Sequence, residues 1–528
     1  MIIPGRRFAF SFYFPKFNPY NLSMKRTFLF NTTFLFLYLL VSTILIAQKQ
    51  DTSDTRFRPL LHFTPKANWM NDPNGMVYYK GTYHLFYQYY PDGNVWGPMH
   101  WGHATSTNLM NWKHEPIALY PDSLGMIFSG SAVVDKNNTS GFGTAAKPPL
   151  VAIFTQHNEA ARLKGAKDFQ NQSIAYSLDE GKTWIKYANN PVLKSPGLVD
   201  FRDPKVSWNT AANKWIMTLA VADRIHFYSS PDLKTWTKES EFGEKAGAHG
   251  GVWECPDLFP MKHEGKEIWV LLVSLNPGGP NKGSATQYFL GDFDGKVFHP
   301  YSTETKWIDY GPDNYAGVTW SNTRDNTFFM GWMSNWSYAQ VVPTTTWRSA
   351  MTLPRELRLE KTGNDLRIAS WPVKSLLPFL SGTAISKGMG KSPYELFSTI
   401  KPSGVPCQIS LSAALHSFSL RFSNEIGEEL LIGYDQQLNQ YYIDRSKSGN
   451  TAFHADFPVK VVAPRISLAD TIKLSVVVDR SSVEIFADKG LTAMTALYFP
   501  SGAFTKAELI SGMPFKFDAV ELTYLGKR

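Results

Sequence analysis

Between about Leu60 and Leu357 the chain reads as short apolar runs broken by Gly, Pro, Asn and Asp. Residues 76–89 (MVYYKGTYHLFYQY), 150–157 (LVAIFTQH), 214–222 (KWIMTLAVA) and 267–275 (EIWVLLVSL) combine period-two alternation with β-branched and aromatic enrichment. That pattern predicts strands, and long amphipathic helical stretches are nearly absent. A loose repeat runs through the same region. Ser106-Thr107-Asn108 leads to Trp112, Ser177-Leu178-Asp179 to Trp184, and Ser230-Pro231-Asp232 to Trp236. Gly291-Asp292-Phe293-Asp294-Gly295 before Phe298 resembles a degenerate fourth copy. Such turns are common hairpin chemistry. Their recurrence at about one four-stranded blade per copy nevertheless favours a radial, propeller-like design.

A second region continues the β pattern. Ser417–Tyr442 alternates through SFSLRF and ELLIGYD, and residues 476–490 (VVVDRSSVEIFADKG) form a hairpin followed by 492–500 (TAMTALYFP). Several short strands at close spacing predict a β-sandwich. The expected organisation is all-β: a propeller over 55–357, a linker over 358–377 marked by Lys361-Thr362-Gly363-Asn364, and a sandwich over 378–528. Residues 1–47 read as an N-terminal extension and signal peptide. Met24-Lys25-Arg26 precedes the apolar run 34–47 (FLFLYLLVSTILIA), and cleavage after Ala47 is expected, an uncleaved anchor being the alternative.

Charge changes the picture only by subtraction. The chain carries +8, but Arg6, Arg7, Lys16, Lys25, Arg26 and Lys49 account for +6, and no acid precedes Asp51. The remaining +2 argues against nucleic-acid partners, and against a membrane partner once the signal is removed. The two cysteines, Cys255 and Cys407, are too few for a disulfide scaffold. Neither has metal-ligand spacing to another Cys or His. His100 and His103 have i, i+3 spacing but no helix to present it, and are expected to be hydrogen-bonding core residues. No metal or cofactor is expected.

Three carboxylates sit in unusual settings: Asp72 in Trp69-Met70-Asn71-Asp72-Pro73-Asn74-Gly75, Asp203 in Phe201-Arg202-Asp203-Pro204, and Glu254 in Trp253-Glu254-Cys255-Pro256-Asp257. Each has a Pro within two residues, which fixes φ and holds its predecessor extended. Singly, each also fits a structural turn or ion pair. Together they suit glycoside hydrolysis, which needs one ionised carboxylate and one that holds a proton. Asp72, between two Asn side chains, is expected to favour ionisation. Asp203 beside Arg202 is expected to do the same. Glu254, with few formal charges nearby, is expected to be desolvated, with Cys255 as a free thiol tuning it.

These segments resemble glycoside hydrolase family 32, the invertase–inulinase–levanase family. The likeness extends to Phe86-Tyr87-Gln88, Trp96-Gly97-Pro98-Met99-His100-Trp101-Gly102-His103, Phe128-Ser129-Gly130-Ser131, Asp309-Tyr310-Gly311-Pro312-Asp313-Asn314-Tyr315-Ala316 and Gly331-Trp332-Met333. The resemblance implies a five-bladed β-propeller followed by a β-sandwich. It also implies Asp72 as nucleophile, Asp203 as transition-state stabiliser and Glu254 as acid/base. Asn71, Asn74, Gln88, Trp96, Phe128, Ser129, Arg202 and Trp332 are then implied to line the fructosyl subsite. Trp96 and Trp332 could instead be blade-core aromatics, and Gln88 a satisfied core amide.

Residues 331–336 and 343–350 look closest to the exo-levanase and exo-inulinase branch. The expected activity is therefore exo-acting, retaining release of fructose from levan or inulin, with sucrose also cut, outside the cytoplasm. An invertase or fructosyltransferase on the same scaffold and a non-catalytic fructan-binding propeller are the alternatives. The sandwich is expected to be a structural support, with glycan binding at Tyr441-Tyr442 as the alternative.

Overall fold

The structure is a computed structural model that describes residues 52–144, 146–390, 392–396, 406–512 and 515–525. The expected extension and signal peptide, 1–47, lie outside the described residues. Five antiparallel sheets come first in the chain. Their four principal strands are Asn68–Tyr79, Thr82–Tyr90, His100–Ser106 and Lys113–Leu119 in the first; Met126–Val134, Leu150–His157, Gln170–Ser177 and Ile185–Lys186 in the second; and Phe201–Asn209, Lys214–Val221, Arg224–Ser230 and Thr237–Phe242 in the third. The fourth has Val252–His263, Lys266–Asn276, Ala285–Phe293 and Phe298–Pro300; the fifth has Tyr315–Thr319, Thr327–Met333, Arg355–Thr362 and Asp365–Pro372. Within each sheet the strands follow in chain order, so each is a four-stranded propeller blade.

The Ser-x-Asx repeat of three blades and its degenerate copy in the fourth have one job: the Asx side chain caps the turn from third to fourth strand. Asn108 Oδ1 accepts from the backbone N–H of Met110 and Asn111, and Asp179 Oδ1 from that of Thr183. Asp232 Oδ1 accepts from Lys234 and Thr235, and Asp294 Oδ1 from Lys296 and Val297. The fifth blade makes this turn differently, and the expected linker is corrected here. Residues 355–362 and 365–372 pair throughout, with Thr362 opposite Asp365, so Gly363-Asn364 is a two-residue hairpin loop with Gly363 at φ 60°. Lys361–Asn364 is thus the outer turn of blade five, and most of 358–377 belongs to the propeller.

The first strands of successive blades contact one another around the axis, and the fifth contacts the first. The ring closes where Trp347–Arg348 runs parallel to Asn68–Trp69 and Ser321 bridges Val77. Downstream, two six-stranded sheets form the sandwich around Ile409, Leu411, Leu420, Ile432, Ile443, Val476 and Ile485. Tyr441 is buried in this core with its hydroxyl on Asp488, so it is not available to a glycan. No helix among the described residues is long and apolar enough to cross a membrane.

Buried ions join sandwich and propeller. His62 Nδ1 meets Asp479 and its Nε2 meets Glu484, both at 2.8 Å, with all three side chains out of solvent. Glu484 also holds Arg355 at 2.6 Å, and Arg355 holds Asp309 at 2.8 Å. Burial alone would depress the imidazole, but the two carboxylates outweigh it and push His62 to about 9. The folded value lies above the unfolded one, so this stabilisation is complete below about pH 6.5 and is lost as pH rises through about 9. Thermal melts from pH 6 to 10 should show the parent losing on the order of 3 kcal/mol from this group. His62→Gln should start lower at pH 6 and decline less steeply. Parallel curves for the two proteins would refute the assignment.

Candidate active site

All five innermost strands are broken by the same irregularity, in which two residues oppose one. Asn71-Asp72 face Gln88, Phe128-Ser129 face Thr155, and Asp203-Pro204 face Leu219. Cys255-Pro256 face Val273, and Ala316-Gly317 face Gly331. Such a bulge leaves the extra residue out of the ladder and re-aims its side chain. Asp203, Cys255 and Ala316 sit at φ of 64°, 45° and 54°, in the left-handed region. The nearby prolines suit the break because they have no N–H to lose from the ladder. One local device, repeated five times, brings residues distant in sequence to one end of the axis.

Asp72 is oriented from its own strand and from blade two. Trp69 Nε1 donates to Asn71 Oδ1 at 2.8 Å, which turns the Asn71 amide nitrogen to donate to Asp72 Oδ1 at 3.1 Å. Ser129 Oγ donates to Asp72 Oδ2 at 2.8 Å. Asp203, on blade three, donates its N–H to Thr155 Oγ1 at 3.0 Å. Its Oδ2 accepts from the Cys255 N–H of blade four at 3.0 Å. The Cys255 sulfur lies 3.6 Å from Asp72 Oδ2 and 3.6 Å from Asp203 Oδ2. The two carboxylates therefore face each other across one sulfur atom. Glu254, the preceding residue, accepts at Oε1 from Arg202 Nε and Nη2 at 3.1 and 3.0 Å, and at Oε2 from the Tyr315 hydroxyl of blade five.

Arg202 thus pairs with Glu254 and Asp200, while Asp72 and Asp203 meet at Cys255. Burial, followed by repulsion from Glu254, pushes Asp72 up to about 6; Asn71, Ser129 and Cys255 oppose the shift without cancelling it. Burial also raises Asp203, and Arg202 does not offset it. Both directions correct the expectation that local donors keep these groups at ordinary acidity. Two further expectations change. Glu254 is not remote from formal charge, because Arg202 lies against it. Cys255 is a free thiol, as is Cys407, but its side chain bears on Asp72 and Asp203.

The other sequence-derived residues gather around this core. Trp332 is fully buried against Trp69, Trp336 and Tyr315, and its Nε1 has no partner. Gln88 Nε2 and both polar atoms of the Asn74 side chain are likewise buried and unpartnered. Buried polar atoms are normally bonded. Four such orphans lie on the strand of Asp72, on its paired strand and on the Trp332 indole, and the Gln88 amide nitrogen is not satisfied. Trp96 is 37% exposed and meets the Phe128 ring edge-on, and Phe128 stacks on His157. His157 in turn contacts Gln170, whose amide oxygen is 3.5 Å from Arg202. His103 contacts His84, and His100 contacts the Pro98 carbonyl. Sequence reasoning missed Tyr315, Thr155 and Gln170. Only Tyr315 had a signal, lying in the Asp309–Ala316 segment.

Residues 62–372 match the model of the glycosyl hydrolases family 32 N-terminal domain, and residues 384–523 match that of the family 32 C-terminal domain. The levanase of Bacillus subtilis is 47% identical over 489 residues, covering 89% of this chain and 71% of that protein. An extracellular exo-inulinase of Aspergillus niger is 40% identical, covering 87% and 92%. The structure of a Schwanniomyces occidentalis fructofuranosidase complexed with fructose superposes with a TM-score of 0.82 at 33% identity, covering 91% and 100%.

The raised carboxylates carry a stability cost with a definite sign. As pH rises from about 4, the unfolded chain releases protons that the folded site keeps until about pH 6 or above, so stability falls across that window. Asp72→Asn removes one such group without changing its size. Its melting temperature should exceed the parent's at pH 8, with the gap closing towards pH 4. A gap that does not vary with pH would contradict the burial assignment.

Proposed function

The chain belongs to glycosyl hydrolase family 32, and on that premise we propose that it is an exo-acting fructan β-fructosidase with Asp72 as nucleophile and Glu254 as acid/base. It releases terminal β-D-fructofuranosyl residues from levan or inulin, and it also cuts sucrose. The levanase and exo-inulinase relatives support the polymeric substrate, and the fructofuranosidase complexed with fructose supports a fructosyl pocket. The extracellular relative and the apolar run 34–47 support export.

The observation that carries the reading is the meeting of Asp72 and Asp203 across Cys255, with Glu254 one residue away. Asp72 attacks the anomeric carbon and forms a fructosyl ester as the glycosidic bond breaks. Glu254 gives its proton to the departing oxygen, then takes one from the water that hydrolyses the ester. Asp203 accepts sugar hydroxyls and stabilises the positive charge that develops on the ring. Arg202 and Tyr315 hold the two oxygens of Glu254, so its carboxyl is oriented before substrate arrives. The unpartnered Asn74, Gln88 and Trp332 atoms meet fructosyl hydroxyls, with Asn71 and Ser129 keeping Asp72 aimed, and Trp96 with Phe128 forms the apolar rim.

Separate incubations with levan, inulin and sucrose, followed by chromatography, test this. Fructose should accumulate from each from the earliest time points. Asp72→Ala and Glu254→Ala should each lower release by at least roughly a hundredfold, with the melting transition preserved. Full fructose release by Glu254→Ala would overturn the assignment. Oligofructosides as the main product from concentrated sucrose would make the chain a transferase.

A further inference from the structure

We propose that the C-terminal sandwich is a positioning element for the acid/base: it clamps residues 309–313 and thereby fixes where the Tyr315 hydroxyl meets Glu254. The proposal rests on Glu254 being the acid/base.

The clamp is built on a sheet edge. Thr492–Leu497 is the last strand in its sandwich sheet, so one side of its backbone lacks a strand partner. Residues 309–313 of the propeller fill that side. Tyr310 N–H donates to the Ala493 carbonyl at 2.9 Å, and Asp313 N–H to the Thr495 carbonyl at 3.2 Å. The two aspartates answer the strand's own donors: Thr495 N–H reaches Asp309 Oδ1 at 2.9 Å, and Leu497 N–H reaches Asp313 Oδ2 at 2.8 Å. Residue 311 must be glycine, because a Cβ there would lie 2.0 Å from the Thr495 carbonyl oxygen. Both carboxylates are also locked by charge. Arg355 and the Thr495 hydroxyl hold Asp309, while Arg445 of the sandwich and the Tyr338 hydroxyl hold Asp313, all buried. The Tyr310 ring packs into the sandwich core.

Two residues after this clamp, Tyr315 begins the inner strand of blade five. That strand has 5 residues, against 9 to 12 in the other four blades. Its first ladder pair, Tyr315 with Trp332, is separated from the next by the bulge at Ala316-Gly317. The propeller alone therefore holds the start of this strand weakly, and the sandwich holds the residues just before it. Arg202 and Tyr315 approach opposite oxygens of Glu254 from blades three and five. A shift of Tyr315 leaves the carboxyl held at one oxygen only, by Arg202, and free to turn its other oxygen away from the departing group. Asp309, Asp313 and Thr495 are accordingly positioning residues that touch no substrate.

The test exploits leaving-group chemistry. Cleavage of sucrose needs a proton on the departing oxygen, whereas 4-nitrophenyl β-D-fructofuranoside departs as a stable phenolate. Thr495→Val should lower kcat/KM for sucrose roughly tenfold and that for the aryl fructoside by less than about twofold. In a Tyr315→Phe background, Thr495→Val should cause no further loss. Equal losses on both substrates, or undiminished loss in the Tyr315→Phe background, would overturn the proposal. Should Thr495→Val fail to fold, Tyr338→Phe loosens Asp313 by one hydroxyl and is held to the same pattern. Glu254→Gln serves as the separate control. If it too loses both substrates equally, the acid/base assignment fails, whatever the clamp variants do.

Discussion

Three carboxylates brought together around Cys255, one of them held by Arg202, and withdrawn from most water, set the terms for the rest of the molecule. Such an arrangement opposes folding, since each ionised group repels the next and each has lost hydration. Burial heads the causes that raise Asp72 and Asp203. The donors that aim them, Asn71, Ser129 and the Cys255 N–H, limit the cost without removing it. A site of this kind persists only where the surrounding structure is strong enough to impose it.

The propeller supplies that strength by geometry. Bulges in five inner strands turn side chains inwards at one level of the axis, while the second and third strands of each blade pair without interruption. Three of these bulges hold a residue at positive φ, Asp203, Cys255 and Ala316. The ring must also close, and it does so with parallel pairing of Trp347–Arg348 to the first blade. The fully buried Arg355–Glu484–His62–Asp479 network then fastens the sandwich to the same body. Buried pairs of this sort add little net stability but are costly to break, which suits an interface that must dock in only one way.

Local physics was legible in the sequence, and long-range physics was not. Strand pattern and the Ser-x-Asx turns were readable because each is decided within a few residues, and all four copies cap equivalent turns. The fifth blade was misread as ending in a linker because its outer turn uses Gly363-Asn364 in place of that signal. The carboxylates stood out because Pro fixes the chain beside them. Their environments did not, since Arg202 and Glu254 are 52 positions apart and Tyr315 and Glu254 are 61 apart. A carboxyl that looks isolated in sequence can thus be held at both of its oxygens in space.

Chain order explains why the fifth blade is the one tied to the sandwich. Its inner strand is the shortest of the five, and its second and third strands are separated by the excursion through residues 334–354, which closes the ring on blade one. A blade that spends its chain on closure has less ladder to spare for holding its own inner end. The neighbouring sheet edge of the sandwich has the complementary problem, donors and acceptors without a strand. Asp309 and Asp313 answer both at once, because a carboxylate can accept from an edge N–H while a buried arginine balances its charge. The second domain is therefore more than a cover for apolar surface: it completes, through two aspartates, the one inner strand that the propeller leaves short.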